Sequence, residues 1–118
     1  MVKRNTEKSK LKKRLIDANR IFGGRLVQKG DFDFEIDMAS RQKKPFRRMA
    51  YINRAMFSSH CFSDGNKRTA MIATTAELNK AGFRADKRKL TKAMIKMSRD
   101  GEGNLTKIEK RLRRCTRK

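Results

Sequence analysis

The strongest constraint on the fold is a pair of helical apolar patterns separated by a short polar loop. The first pattern follows Pro45, a residue that suits the first turn of a helix, and the second runs from Asn66 until Gly82 ends it. Between them, the letters "FSDGN" break the period. The sequence therefore predicts helix, tight loop, helix, with His60 on or just past the last turn of the first helix.

Helical spacing also recurs on both sides of this pair. Apolar residues follow it over 11–22, and again over 90–97 after Asp86, whose side chain can cap a helix. Thr106-x-x-Glu109 has the letters of a capping box and predicts the start of a last helix. We expect these segments to pack around the central pair.

The segment "RLVQKGDFDFEIDM" has a different period. Phe32, Phe34 and Ile36 alternate with acidic residues, and this alternation predicts an extended segment. Lys29-Gly30 is a candidate hairpin turn, so we predict a short β-hairpin here.

Chain length and the lack of repeats predict a single domain. The 118 residues contain no internal repeat and no linker that would divide them. The predicted fold class is mainly α: a compact helical bundle over residues 1–118 with a short β-hairpin flap. Residues 1–8 are candidates for a disordered basic arm.

The charge of the chain predicts an anionic partner. Lys and Arg number 33 against 12 Asp and Glu, for a formal net charge of +21. Such an excess creates a positive field over the whole molecule. Nucleic acid, nucleotide phosphates or an acidic protein would fit it, and charge alone does not choose between them.

Cysteine content and hydropathy favour a cytoplasmic protein with free thiols. Cys61 and Cys115 lie far apart, and the chain has a single histidine to join them in a metal site, so structural zinc is not expected. No apolar run is long enough to span a membrane, and the N-terminus lacks the apolar core of a secretory signal. We expect no membrane partner.

The loop between the central helices has the features of an anion site. A helix that begins after a glycine turn presents unpaired backbone N–H groups and the positive end of its dipole. Gly65 supplies the turn, and Asn66, Lys67 and Arg68 open the helix. Phosphate is the ligand that this arrangement predicts.

Two further residues convert the anion site into a candidate reaction site. Asp64 would repel phosphate unless a divalent cation lay between them, and Mg²⁺ favours a carboxylate together with substrate phosphate oxygens. His60 can take a proton from an attacking hydroxyl, because imidazole titrates near neutral pH. Taken singly, a surface histidine and a common turn would explain these residues, but together they match a phosphate-transfer site.

The letters "HCFSDGNKRTA" resemble the signature loop of the Fic/Doc superfamily, H-x-F-x-(D/E)-(G/A)-N-(G/K)-R. Every defined position is present: His60, Phe62, Asp64, Gly65, Asn66, Lys67 and Arg68. The letters "LIDANRIFGG" and "GEGNLTKIEKRLRR" also resemble the first and last helices of the Doc (death-on-curing) toxins. The resemblance thus extends, more weakly, along much of the chain.

The resemblance implies an α-helical Fido domain that uses ATP, or another NTP, with Mg²⁺ to modify a Ser, Thr or Tyr hydroxyl of a target protein. His60 would be the general base and Asp64 the metal ligand. Residues 65–68 would hold the nucleotide phosphates, and Phe62 would anchor the loop in the core.

The resemblance also implies a flap beside the site that docks the target in extended form. The candidate residues are Lys29, Gly30, Asp31, Phe32 and Asp33. An ordinary edge hairpin or loop explains the same segment equally well.

Two positions favour the Doc-like branch, in which ATP binds reversed and the γ-phosphoryl group is transferred. The AMP-transferring branch usually has Gly where Lys67 stands and a second Arg where Met71 stands. Gly65, in contrast, matches the AMP-transferring branch, so protein adenylylation (AMPylation) stays as the alternative. Ser98 to Gly103 carries the letters of a self-inhibitory helix, but its glycines disfavour a helix, and regulation by a separate antitoxin, as in toxin-antitoxin pairs, is expected instead.

An alternative of another class is a catalytically inactive Fic/Doc scaffold that serves as a basic nucleic-acid-binding module. The net charge of +21 and the two basic ends motivate it. The intact loop favours the enzyme, because an inactive site would be expected to lose its base or its metal ligand first. Contact with RNA or another polyanion is compatible with both.

Overall fold

Six helices account for most of the chain. The computed structural model describes residues 3–117, with side chains from residue 6 onward. The helices are α1 (Lys3–Ile21), α2 (Lys29–Arg41), α3 (Pro45–Phe57), α4 (Asn66–Lys80), α5 (Lys87–Asp100) and α6 (Leu105–Arg114). Two short strands, β1 (Arg84–Ala85) and β2 (Thr116–Arg117), complete the fold. The prediction of a mainly α fold is confirmed.

Helix α3 is the centre of the bundle. Nine of its thirteen residues are buried, and α2, α4 and α6 all pack against it. A helix that is apolar on most of its surface must be covered on most sides. The end of α3, where the candidate site begins, is therefore held in place from several directions.

Helix α2 corrects the prediction of an extended flap. The buried residues of this segment are Phe32, Glu35, Ile36 and Ala39, which is the spacing of one helix face. Phe34, which the alternating pattern grouped with them, is 55% exposed. In the sequence, Glu35 looks like a surface residue, so the helical spacing of the buried positions was not apparent. In the structure, Glu35 is buried and forms an ion pair with Arg54.

The small antiparallel sheet lies elsewhere. Arg84 pairs with Arg117 and Ala85 with Thr116, and the Asp86 N–H donates to the Cys115 carbonyl at 2.7 Å. A two-stranded sheet is thus present, but it joins the end of the chain to the segment before α5 and does not form a flap.

The caps predicted for α5 and α6 have different outcomes. The Asp86 side chain accepts from the Lys89 N–H at 3.2 Å, as a cap of α5 should. For α6, however, the cap is Asn104, which accepts from the Lys107 N–H at 3.0 Å. The capping box predicted at Thr106 and Glu109 is wrong, because Thr106 already lies inside the helix.

Helix α1 begins within the predicted basic arm. Residues 3–8 are helical, and Lys8 Nζ lies 3.0 Å from Asp33 Oδ1 of α2. Residues 1 and 2, the rest of that prediction, lie outside the described residues. None of the helices in the described part of the chain is both long enough and apolar enough to cross a membrane.

Candidate active site

The candidate site is built on the loop of residues 58–65, between the end of α3 and the start of α4. One side of this loop pairs with an extended segment, residues 25–28. The N–H groups of Val27 and Gln28 donate to the Cys61 carbonyl at 2.8 and 3.1 Å, and the Ser63 N–H donates to the Arg25 carbonyl at 2.9 Å. The loop is therefore fixed by backbone bonds to a neighbouring segment.

Phe62 and Asn66 close the loop from inside. The Phe62 ring is buried and meets the Phe32 ring edge to face, with 5.4 Å between centroids. The Asn66 carboxamide donates to the Phe62 carbonyl at 2.8 Å and accepts from the Phe62 N–H at 3.2 Å. Phe62 thus lies where an anchor is expected, whereas the Asn66 side chain shapes the loop and leaves its backbone N–H for a ligand.

Asn19 of α1 holds the same loop from a third direction. Its side chain is fully buried and donates to the Asp64 carbonyl at 2.7 Å and to Thr69 Oγ1 at 3.1 Å. Sequence reasoning missed this residue. The available signal was its place one helical turn after Leu15 and two after Leu11, where an apolar residue would be expected and a polar one must find partners.

Gly65 has a local structural reason to be glycine. Its φ is +72°, and a Cβ atom here would lie 2.9 Å from Phe22 Cβ and 3.1 Å from Asn19 Nδ2. Both the left-handed backbone and the lack of space exclude larger residues. The glycine therefore follows from the packing of the loop against α1 and says nothing about which group is transferred.

Three backbone N–H groups in the first turn of α4 have no acceptor among the described residues. The first backbone bond of the helix runs from the Thr69 N–H to the Gly65 carbonyl at 2.9 Å, and no side chain caps the helix. The N–H groups of Asn66, Lys67 and Arg68 are therefore available, and they coincide with the positive end of the helix dipole. This is the geometry that binds a phosphate.

Asp64 stands at the edge of that turn. Its Oδ1 accepts from the Gly65 N–H at 2.7 Å, which fixes the carboxylate and leaves Oδ2 for another partner. Within the described residues, Asp64 forms no ion pair, although the chain carries 33 Lys and Arg. An exposed carboxylate fixed beside free N–H groups fits Mg²⁺ bound through one protein oxygen and phosphate oxygens.

His60 completes the site from the loop side. It is exposed, and its φ of +47° is the one positive value among the non-glycine residues that the structure describes. Such a backbone costs about 1–3 kcal/mol and persists where the surroundings impose it. Here the surroundings act through the next residue, Cys61, which is buried. The Cys61 N–H donates to the Ala55 carbonyl at 3.1 Å, and the Cys61 carbonyl accepts from the Val27 N–H.

The predicted site residues converge on one cavity of about 440 Å³. It is lined by Phe22, His60, Ser63, Asp64, Gly65, Asn66, Lys67, Arg68 and Ser98. The Arg68 guanidinium lies over the Phe22 ring at 5.7 Å from its centroid. The candidate base, metal ligand and phosphate-binding residues therefore face a common space.

A second, apolar cavity of about 210 Å³ adjoins the first. Lys67 and Arg68 belong to both cavities, and the smaller one continues between α4 and α5 over Met71, Met94 and Ile95. A ligand with a charged end and a flat apolar end could lie across the two.

The predicted docking residues do not line the cavity. Residues 29–33 form the first turn of α2, where Phe32 is buried under Phe62 and Asp33 pairs with lysines of α1. The prediction that they form an extended flap is wrong. The extended segment beside the loop is instead residues 25–28.

The segment from Ser98 to Gly103 is helical only as far as Asp100, where α5 ends. The next residue, Gly101, has a φ of +60°. The Glu102 carboxylate accepts from the Asn104 N–H at 3.1 Å, so it is engaged by its own loop. Ser98 lines the cavity, but Glu102 does not.

Comparison with known proteins was made against family models, curated proteins and solved structures. The family model described as "Fic/DOC family" matches residues 3–78, which include the whole candidate loop. The chain belongs to the Fic/DOC family. Neither the curated proteins nor the solved structures gave a match. In this Fic/DOC chain, the matched region contains α1 to α3, the loop and most of α4, that is, every element that supports the site except α5.

Proposed function

We propose that this Fic/DOC protein is a transferase that uses ATP and Mg²⁺ to modify a Ser, Thr or Tyr hydroxyl of a target protein. The observation that carries the proposal is that His60 and Asp64 line one cavity with the free N–H groups of α4. A base, a metal ligand and a phosphate cradle are the parts that such a reaction needs.

Each residue has a distinct role in the proposed reaction. His60 takes the proton of the target hydroxyl, whose oxygen then bonds to phosphorus while the bond to the leaving nucleotide breaks. The N–H groups of residues 66–68 and the side chains of Lys67 and Arg68 hold the phosphates in line. Asp64 would hold Mg²⁺, which, when bound, neutralises charge on the phosphate oxygens.

We further propose that the γ-phosphoryl group is the one transferred, as in the Doc-like branch. A nucleoside in the apolar cavity beside Met71 and Met94 would send its phosphates past Lys67 toward His60, so the terminal phosphate would lie nearest the base. Gly65, the one feature that favoured AMP transfer, is explained by packing. Lys67 lies where the two cavities meet, so its positive charge would stabilise the phosphate chain there.

The test is to supply ATP with radioactive phosphorus at either the α or the γ position, together with lysate proteins. We expect γ-label to enter protein with the wild type and less than about 1% of that with His60→Ala, since loss of a general base costs 10² or more in rate. Asp64→Asn should also lose transfer, whereas the matched control Asp17→Asn, an exposed acid on α1, should keep it. Circular dichroism should show that all variants stay helical.

The other outcomes are equally informative. Entry of α-label would overturn phosphoryl transfer and support adenylylation. Absence of both labels, with tight salt-sensitive RNA binding, would overturn the enzyme proposal in favour of an inactive nucleic-acid-binding scaffold. Control by a separate antitoxin remains part of the proposal, because the Glu102 carboxylate is bonded within its own loop.

A further inference from the structure

A third cavity, larger than the cavity around His60, lies between α5 and α6. Its volume is about 540 Å³, and five cations line it: Lys89, Lys92, Lys96, Arg111 and Arg114. Its floor is Ala93 and the buried Cys115, and its lining includes no carboxylate from the described part of the chain. We call this cavity the basic groove.

The cations of the basic groove are largely unneutralised. Among the described residues, Lys96 is the one member with an ion pair, to Asp100 at 3.4 Å. Residues 87–117 carry twelve Lys and Arg against three acids, Asp100, Glu102 and Glu109. Like charges on the two walls repel each other, so an anion bound between them would relieve that repulsion.

Helix geometry arranges the cations as two facing rows. Lys89, Lys92 and Lys96 are spaced three and four residues apart and share one face of α5, while Arg111 and Arg114 share one face of α6. The α5 row spans seven residue steps, or about 10 Å. A nucleic-acid strand carries one phosphate for each nucleotide, so a row of this length can meet more than one successive phosphate.

The floor of the basic groove is neutral. Burial raises the pKa of the Cys115 thiol above its ordinary value of 9.0, and the nearby Asp86 adds to the shift. The thiol therefore stays protonated near pH 7 and adds no negative charge. An uncharged floor between cationic walls suits a strand whose phosphates face the walls.

The basic groove and the cavity around His60 use opposite faces of α5. Ser98 lines the active site and Lys96 lines the groove, and residues two apart on a helix point about 200° apart. Occupation of the groove therefore leaves the cavity around His60 open.

From these observations we propose that the basic groove binds a single strand of nucleic acid through its phosphates. The inference stands without the proposed transfer reaction. A duplex is too thick to enter a groove between two neighbouring helices, so a single strand is the form that both walls can contact.

The test is fluorescence anisotropy with a labelled single-stranded RNA of about twenty nucleotides. The KCl concentration is varied from 50 to 200 mM, the range over which affinity that depends on phosphate contacts falls steeply. The test variant carries Lys89→Ala, Lys92→Ala, Arg111→Ala and Arg114→Ala. The matched control removes four exposed cations outside the groove: Lys10, Arg20, Lys44 and Lys80. Both variants lose the same charge, and circular dichroism checks that both are folded.

We expect the groove variant to bind at least about tenfold more weakly than the control variant. The slope of log K against the logarithm of the KCl concentration, where K is the binding constant, should decrease in magnitude by about 3, or roughly 0.7 for each lost phosphate contact. Equal losses in the two variants would overturn the proposal, because binding would then reflect diffuse surface charge. Duplex DNA that binds as tightly as the single strand, or polyglutamate that competes as well as RNA, would also overturn it. Failure of the wild type to bind RNA at 100 mM KCl would do the same.

Discussion

At the scale of single residues, the shape of the candidate site depends on residues that take no part in the proposed reaction. Gly65 is the clearest case, because its positive φ and its contact with Phe22 leave no room for a Cβ atom. Gly65→Ala should lower the free energy of unfolding by about 1–3 kcal/mol. Gly30→Ala is the control, since Gly30 lies in α2 with nothing within 4 Å of its Cβ position, and this change should be neutral or stabilising. Urea denaturation that ranks the two variants the other way would contradict the packing argument.

Cys61 stands next to the candidate base, yet it should be inert. Burial, followed by the charges of Asp31 and Glu35, raises the pKa of its thiol to about 12. Because the thiolate is the reactive form, a thiol reagent at pH 7.5 should modify neither Cys61 nor the buried Cys115 in the native protein, and both after unfolding. Rapid labelling of Cys61 under native conditions would show that the loop opens.

At the scale of elements, buried ion pairs join α3 to its neighbours. Arg48 of α3 donates to both carboxylate oxygens of Glu77 of α4 at 2.7 and 3.3 Å, and both side chains are buried. Glu77→Gln leaves the arginine charge buried without an opposite charge and should lower stability by about 3–5 kcal/mol. Asp17→Asn, which breaks an exposed pair with Lys13, should cost less than about 1 kcal/mol. Similar losses in thermal unfolding would contradict this assignment.

The contact between α1 and α2 should be sensitive to acid. Hydrogen bonds from Lys8, and then from Lys12, hold the pKa of Asp33 below its ordinary value of 3.8. The stabilisation is therefore present above about pH 4 and is lost as the pH falls through the lowered pKa of the folded state. The stability difference between the wild type and Asp33→Asn should shrink from pH 6 to pH 3 in urea titrations. A difference that stays constant over this range would show that the lysines do not act on this carboxylate.

At the scale of the whole molecule, the sequence was most informative where local patterns decide structure. The helix, loop and helix around His60, the Pro45 start and the Asp86 cap were all predicted and are present. The family resemblance rested on the same loop, and the family comparison agrees with it.

Prediction failed where distant partners override local pattern. Residues 29–41 form a helix whose buried face includes Glu35, which Arg54 neutralises, and no local pattern reveals that pair. The role of Asn19 depends on loop atoms 45 and 50 residues away, and β1 pairs with a strand at the other end of the chain. The basic groove likewise needs α5 and α6 side by side, so a count of charges could not locate it.

We propose that the first turn of α4, with Asp64 beside it, binds a nucleoside triphosphate together with Mg²⁺. The most direct measurement is the change in backbone amide chemical shifts in NMR spectra as ATP is added with and without Mg²⁺. We predict that the largest changes fall on the amides of Asn66, Lys67 and Arg68, that they need Mg²⁺, and that Asp64→Asn weakens them. Changes confined to the basic groove, or equal with and without Mg²⁺, would contradict the claim.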